Sequence, residues 1–308
     1  MQLRVVVITG ASSGIGAATA QLFSRKGWAV VLAARSHDKL QKMAAEMIAD
    51  GGKVLAVPTD VTVKSDIENL VQKTMDAFGR IDVLVNNAGV GISGTLETVD
   101  MAQMDYVFAL NTLAPIAVLQ AVAPVMKAQG DGVIVNVSSL AEATGIPYMA
   151  GYGASKAALG YLSDAAAVEL SPYGIAVIKI LPGVTATEFS RNTLQAGRAV
   201  TLEDLLAKVG LLTTVPPEAV AHSIWEAVRT RRPQTYVTAQ DRFLGMAARF
   251  SPAITIQVLK LALPRYAPPD GSLPKASIRR DLAKLGFVVA GVGAFIGAAL
   301  GYAVYRRR

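Results

Sequence analysis

The chain has no cysteine among its 308 residues, which excludes disulfides, thiolate nucleophiles and zinc–thiolate sites. Histidine is almost as scarce, with only His37 and His222. A serine–histidine–aspartate triad or a histidine-based metal site would have to use one of these two. His37 falls in a polar loop and His222 on an amphipathic segment, so neither chemistry is expected and no metal is called for. Repeats and low-complexity blocks are absent too. Acidic residues run short only toward the C-terminus: residues 1–228 hold 16 basic and 20 acidic side chains, whereas residues 229–308 hold 14 and 3. A nucleic-acid binder is expected to carry its basic residues on the folded domain. Here they crowd around an apolar run, which favours a membrane surface as partner and no nucleic acid.

What is present is an alternation of two patterns. Short β-branched runs occur at 3–8, 29–33, 53–57, 81–85, 132–137 and 174–180, continuously apolar, as parallel strands covered on both faces require. Between them, amphipathic segments at 14–26, 38–49, 63–77, 101–127 and 151–171 are long enough for helices. The alternation predicts an α/β fold: a Rossmann-type, doubly wound parallel sheet with helices on both faces. A helix over about 217–229, opening on Pro-Pro-Glu, and a seventh strand at 235–238 complete it. The expected organisation is a catalytic domain over 1–240, a basic helical linker over 241–284 and a transmembrane helix over 285–305.

The first strand runs straight into TGASSGIG, residues 9–16. Glycines at 10, 14 and 16 allow a tight turn, close backbone approach to phosphates and helix–strand packing. The turn opens a helix whose free N–H groups favour an anion. No Gly-Lys-Ser/Thr follows, so a P-loop nucleotidase is excluded. The second strand ends in VVLAARS, with Ala34 where an NAD-binding chain usually carries an acid for the ribose hydroxyls. Arg35 comes next and can pair with a 2′-phosphate. NADP(H) is the expected cofactor. Further on, GYGASK at 151–156 sets a tyrosine and a lysine four residues apart among small residues, a spacing equally open to a snorkelling surface pair.

Together with NNAG (86–89), Asn111 in LNT, VNVSS (135–139) and PGVTAT (182–187), these stretches resemble the short-chain dehydrogenase/reductase family over about residues 3–240. The resemblance makes Tyr152 the acid–base residue, with Lys156 one helical turn away lowering its pKa together with the positive nicotinamide. It makes Ser139 the group that binds the carbonyl oxygen and Asn111 part of a proton relay through water to Lys156. The cofactor set it implies is Gly10, Ser12, Ser13, Gly14, Ile15 and Gly16 at the phosphates, Arg35, Asp60 and Val61 at the adenosine, and Asn87, Ala88 and Gly89 along the ribose. Tyr152, Lys156, Pro182, Gly183, Val184 and Thr187 follow at the nicotinamide. Glu142 departs from the small residue usual there and is expected either to face the substrate or to point to solvent.

The activity so implied is reduction of a ketone or aldehyde to an alcohol, with oxidation of a secondary alcohol, or a non-catalytic nucleotide-sensing scaffold, as alternatives. An apolar segment (Phe189, Leu194, Leu202, Leu205, Leu206, Leu211 and Leu212), read as two short helices within 186–212, suggests a lid over a hydrophobic substrate. Segments 101–127 and 151–171 resemble the family's oligomer-forming helices. Residues 285–305 carry no charge over 21 positions, about 31 Å as a helix, which matches a bilayer core. With the first strand starting at once and no signal peptide expected, the catalytic domain is expected to face the cytoplasm from a single C-terminal anchor.

Overall fold

The computed structural model describes residues 3–189, 192–195 and 213–262. The chain divides into a larger unit, Met1–Met246, and a smaller one, Ala247–Arg308. Seven parallel strands build the main sheet of the larger unit: β1 (Val5–Thr9), β2 (Ala29–Ala34), β3 (Lys53–Pro58), β4 (Val83–Asn86), β6 (Gly132–Val137), β7 (Ile175–Leu181) and β9 (Gln234–Tyr236). Their order across the sheet is β3-β2-β1-β4-β6-β7-β9, so each expected strand is present within two residues or so of its predicted bounds. The helices between them are α1 (Gly14–Arg25), α2 (His37–Ala49), α3 (Lys64–Phe78), α4 (Met101–Phe108), α5 (Ala114–Gln129), α6 (Ala150–Leu170) and α7 (Pro217–Thr230).

The uniform apolarity of the strands has a direct cause. Alternate residues point to opposite faces of a sheet, and both faces here are covered. Val6, Ile8, Val30 and Leu32 pack with Phe23 of α1, Leu40 of α2 and Ile224 of α7. Val5, Val7, Val31 and Leu84 pack on the other side with Leu70 of α3, Val118 and Val122 of α5 and Leu170 of α6. Each such side chain taken fully out of water contributes about 1.5–3 kcal/mol, so a polar residue anywhere on these strands would be costly. Two of the polar exceptions, Asn86 and Asn136, pair with each other. Asn86 Nδ2 donates to Asn136 Oδ1 at 2.9 Å, and Asn136 Nδ2 donates to Ser163 Oγ at 2.8 Å. This buried chain ties β4, β6 and α6 together beneath the place where the reactive residues stand.

Two features were not visible in the sequence. The apolar segment predicted as one helix over 101–127 is interrupted by a π-helical turn, Ala109–Leu113, between α4 and α5. A second sheet of two short parallel strands, β5 (Ile92–Ser93) and β8 (Leu194–Gln195), clips the loop after β4 to the segment after β7. Leu194, expected in a helical lid, is therefore in a strand. Leu202, Leu205, Leu206, Leu211 and Leu212 lie outside the described residues, as do 263–284 of the basic linker and the whole 285–305 segment. Two further helices follow β9, α8 (Ala239–Phe250) and α9 (Pro252–Ala262).

Candidate active site

In an open parallel sheet the chain leaves the carboxyl ends of neighbouring strands in opposite directions where the order reverses, and a crevice opens there. Here that point lies between β1, which leads outward to β2 and β3, and β4, which begins the other half. A cleft of about 590 Å³ occupies it. All the residues expected to hold cofactor or substrate line this cleft except Gly16 and Asn111.

Gly16 lies behind the phosphate turn. A Cβ there would come 2.7 Å from Asn87 Nδ2 and nearer still to the Gly10 carbonyl oxygen. That contact exists because Asn87 Nδ2 donates to the carbonyls of Thr9 (3.0 Å) and Gly10 (3.1 Å). The Thr9 hydroxyl accepts from the backbone N–H groups of Asn87 and Ala88 at 3.0 and 3.1 Å. Thr9 and Asn87 thus bolt the β4 end to the glycine turn, a use of Thr9 that the sequence motif did not disclose. Ser13 at the start of α1 makes no side-chain cap, so the first-turn N–H groups of α1 remain available to a phosphate from the cleft. Across the cleft, Thr187 approaches so closely that a Cβ on Gly14 would meet its methyl at 3.1 Å.

At the end expected to hold the adenosine, Arg35 Nη1 donates to the Tyr106 hydroxyl at 3.1 Å, and Lys39 of α2 also lines the cleft. Lys39 supplies a second cation that sequence reasoning missed, although its place in the first turn of the helix after β2 was a readable signal. Burial pushes the Asp60 carboxyl up, but hydrogen bonds from the Thr62 hydroxyl and backbone and the charge of Arg35 pull it further down. Asp60 therefore stays ionised beside the arginine.

The opposite end carries Ser139, Tyr152 and Lys156. Ser139 follows β6 in extended conformation, its Oγ accepting from Ala141 N at 3.1 Å. Tyr152 and Lys156 stand one turn apart on α6, 8 % and 4 % exposed. Lys156 Nζ donates to the Val137 carbonyl at 2.9 Å. The expectation of a lowered tyrosine pKa does not hold for the protein's own groups. Burial pushes the Tyr152 phenol up to about 12, with its hydrogen bond to Ser139 pulling weakly the other way. Burial likewise brings the Lys156 ammonium down to about 8, against the upward pull of Glu142. Desolvation of both charged forms outweighs the pairing assumed from spacing alone.

One expected residue has contacts the sequence did not disclose, and another is placed otherwise than foreseen. Asn111, in the π turn, uses its side chain as a clamp: Oδ1 accepts from Val90 N at 2.9 Å, while Nδ2 donates to Val90 O at 2.8 Å and Ser155 Oγ at 3.1 Å. Glu142 faces neither substrate nor solvent, because its side chain is 2 % exposed and lies off the cleft. The end of the cleft beside Tyr152 is instead lined by Ser93, Met149, Phe189 and Leu194, with the Phe189 ring 5.4 Å from that of Tyr152. Met149, Ser93 and Tyr106 carried no sequence signal, since nothing in their local pattern says which loop or helix face meets the cleft.

A doubly wound sheet with a glycine-turned cleft at its switch point defines a dinucleotide-binding α/β protein. The short chain dehydrogenase family model matches residues 4–197, and the chain belongs to that family: an oxidoreductase acting on CH–OH or C=O groups with a nicotinamide cofactor. It is 34 % identical over 238 residues to a 3-oxoacyl-(acyl-carrier-protein) reductase of Synechocystis sp., covering 77 % of this chain and 93 % of that one. Among solved structures, an alcohol dehydrogenase of Thermococcus sibiricus complexed with 5-hydroxy-NADP superposes with a TM-score of 0.67 at 28 % identity, over 76 % of this chain and 96 % of that one. A short chain dehydrogenase/reductase of Burkholderia phymatum in complex with NAD gives 0.73 at 27 %, over 83 % and 95 %.

Proposed function

We propose that the protein is an NADP(H)-dependent carbonyl reductase acting on a hydrophobic, lipid-like ketone or aldehyde. The observation that carries the reading is the Tyr152 phenol, buried in the cleft wall, hydrogen-bonded to Ser139 and one helical turn from Lys156. A phenol at that place can give the proton that carbonyl reduction requires. A nicotinamide held in the cleft would supply the hydride for the carbonyl carbon. Tyr152 Oη gives its proton to the carbonyl oxygen, and the Ser139 hydroxyl donates a hydrogen bond to that oxygen as negative charge develops. Lys156, anchored on Val137 and one turn below, stabilises the phenolate left behind until solvent reprotonates it. In this reading Asn111 clamps Val90 and α6 in register with the cleft and keeps the relay role toward Lys156 that the resemblance implies.

Arg35, Lys39 and the absence of an acid at Ala34 favour the 2′-phosphate of NADP(H). Arg35→Asp is expected to weaken NADPH and improve NADH in relative terms, since one cation is lost and one anion gained. Initial rates with both cofactors check this, and a wild type that already prefers NADH overturns it. Phe189, Met149 and Leu194 at the reactive end support an apolar substrate, and a 3-oxoacyl chain, the substrate class in the Synechocystis relative's name, has the required carbonyl.

The membrane reading rests on two features. Phe243, Met246 and Phe250 of α8, 47 %, 55 % and 81 % exposed, follow a spacing that puts them on one helical face. Arg242 and Arg249 flank them, and the uncharged 285–305 run lies further along the sequence, as an interfacial helix followed by an anchor requires. The full chain should stay with membranes through an alkaline carbonate wash, while a chain ending at residue 283 should be released by it. Equal release of the two removes the anchor. The shortened chain should still scatter light as more than one protomer, because Leu113, Tyr161 and Val168 are 63–78 % exposed on the long helices; a clean monomer overturns that part.

A further inference from the structure

Glu142 is three residues beyond Ser139, on a short 3-10 segment, Leu140–Ala143. Its Oε2 accepts a 2.5 Å hydrogen bond from Ser138 Oγ, and its Oε1 lies 3.6 Å from Lys179 Nζ on β7. Lys179, its side chain 3 % exposed, also pairs with Asp164 Oδ2 at 2.7 Å. A notch in α6 receives the carboxylate: a Cβ on Gly160 would meet Oε2 at 2.6 Å. Gly160 stands one turn past Lys156 on that helix. Ser138 Oγ lies 3.3 Å from the Lys156 carbonyl oxygen as well, so Glu142, Ser138 and the backbone of Lys156 form one buried cluster behind the cleft wall.

A buried carboxylate costs several kcal/mol unless its charge is used, and the surface Asp164 already gives Lys179 a closer partner. The charge of Glu142 pairs with Lys179 and, from the notch one turn past Lys156, bears on the Lys156 ammonium as well. We propose that Glu142 is a positioning residue of the reaction: through Ser138 it fixes the strand end that carries Ser139, and its charge holds the Lys156 ammonium in place on the Val137 carbonyl. The other titratable groups on elements around Lys156 are Tyr152, Tyr161, Asp164 and Glu169 on its own helix, Asp105 and Tyr106 on α4, Lys179 on β7 and Glu188 after β7. Among the described residues it is Glu142 whose charge supports the ammonium against burial. The kinetic part of the proposal rests on the reductase reading, and the spectroscopic part does not.

The test is the titration of Lys156 in the full chain labelled with carbon-13 at lysine Cε, its resonance assigned by its loss in Lys156→Met. Glu142→Gln keeps an acceptor for Ser138 but removes the charge, so the Lys156 midpoint should fall from about 8 by about one pH unit or more, the usual effect of losing a near opposite charge. With ethyl acetoacetate and NADPH as probe, the alkaline limb of kcat/KM should move to lower pH by the same amount. Gly160→Ala, which pushes the carboxylate out of its notch without changing any charge, should shift the midpoint in the same direction and decides the matter if Glu142→Gln fails to fold. A Lys156 midpoint equal to wild type in the folded variant overturns the proposal. A wild type that turns over no carbonyl overturns the reductase reading while the resonance still reports on Glu142.

Discussion

Tyr152→Phe is expected to lower turnover by at least about a hundredfold, within the range of positioned acid–base groups, or about 2.7 kcal/mol of transition-state stabilisation. The substitution removes one oxygen and leaves the ring, so its contact with Phe189 at 5.4 Å persists and α6 loses no packing. What disappears is the proton that burial holds on the phenol and the partner of the Ser139 hydroxyl. Cofactor binding, read by quenching of Trp28 and Trp225 or by NADPH fluorescence, should be nearly unchanged, because the glycine turn and Arg35 lie at the other end of the cleft. The expected signature is a fall in kcat with little change in cofactor affinity. Turnover near wild type in the folded variant would remove Tyr152 from the chemistry.

Gly16→Ala is expected to damage the opposite end. The new methyl would lie against the Gly10 carbonyl oxygen and 2.7 Å from Asn87 Nδ2, atoms already joined by a hydrogen bond. Neither is the free end of a flexible side chain, so the turn must spread and Asn87 must release one of its carbonyls. Overpacking of this kind costs about 1–3 kcal/mol, and the displaced turn can no longer present its N–H groups together. Cofactor affinity should fall tenfold or more, by calorimetry, with a lowered unfolding temperature. An affinity within twofold of wild type would show that the turn has room this geometry denies it.

The main sheet was legible because Val5 to Ile8, Val30 to Leu32 and Val133 to Val135 are apolar without alternation, a pattern that only a doubly covered strand requires. The glycine turn and the tyrosine–lysine pair were legible as short, local spacings. The π turn at Ala109–Leu113 left no trace, since its residues fit an α-helical pattern equally well, and the contacts Asn111 makes from it with Val90 and Ser155 lie far away in the sequence. The β5–β8 pair was hidden for a different reason: two-residue strands have no periodicity to read. The burial of Tyr152 was not legible, for spacing gives the partner of a charge but not its solvation. Glu142 was misplaced because nothing local in the sequence points to Lys179 or to the notch at Gly160, both distant in the chain.

The place of the cleft in the strand order also bears on how the protein comes to be folded. Val6 pairs with Val30 on one side and with Val83 on the other, so the glycine turn is made early in the chain but its floor, Asn87, arrives only with β4. A partly folded chain in which β1, β2 and β3 have joined holds a turn with no Asn87 to brace it and no competence for a dinucleotide. Such distant pairings close slowly, because the intervening loop entropy is lost before the contact is gained. Cofactor therefore selects chains whose two halves have already met. At a hundred times its dissociation constant it would add about 2.7 kcal/mol to that junction, making nucleotide supply a determinant of how long the assembled protein survives.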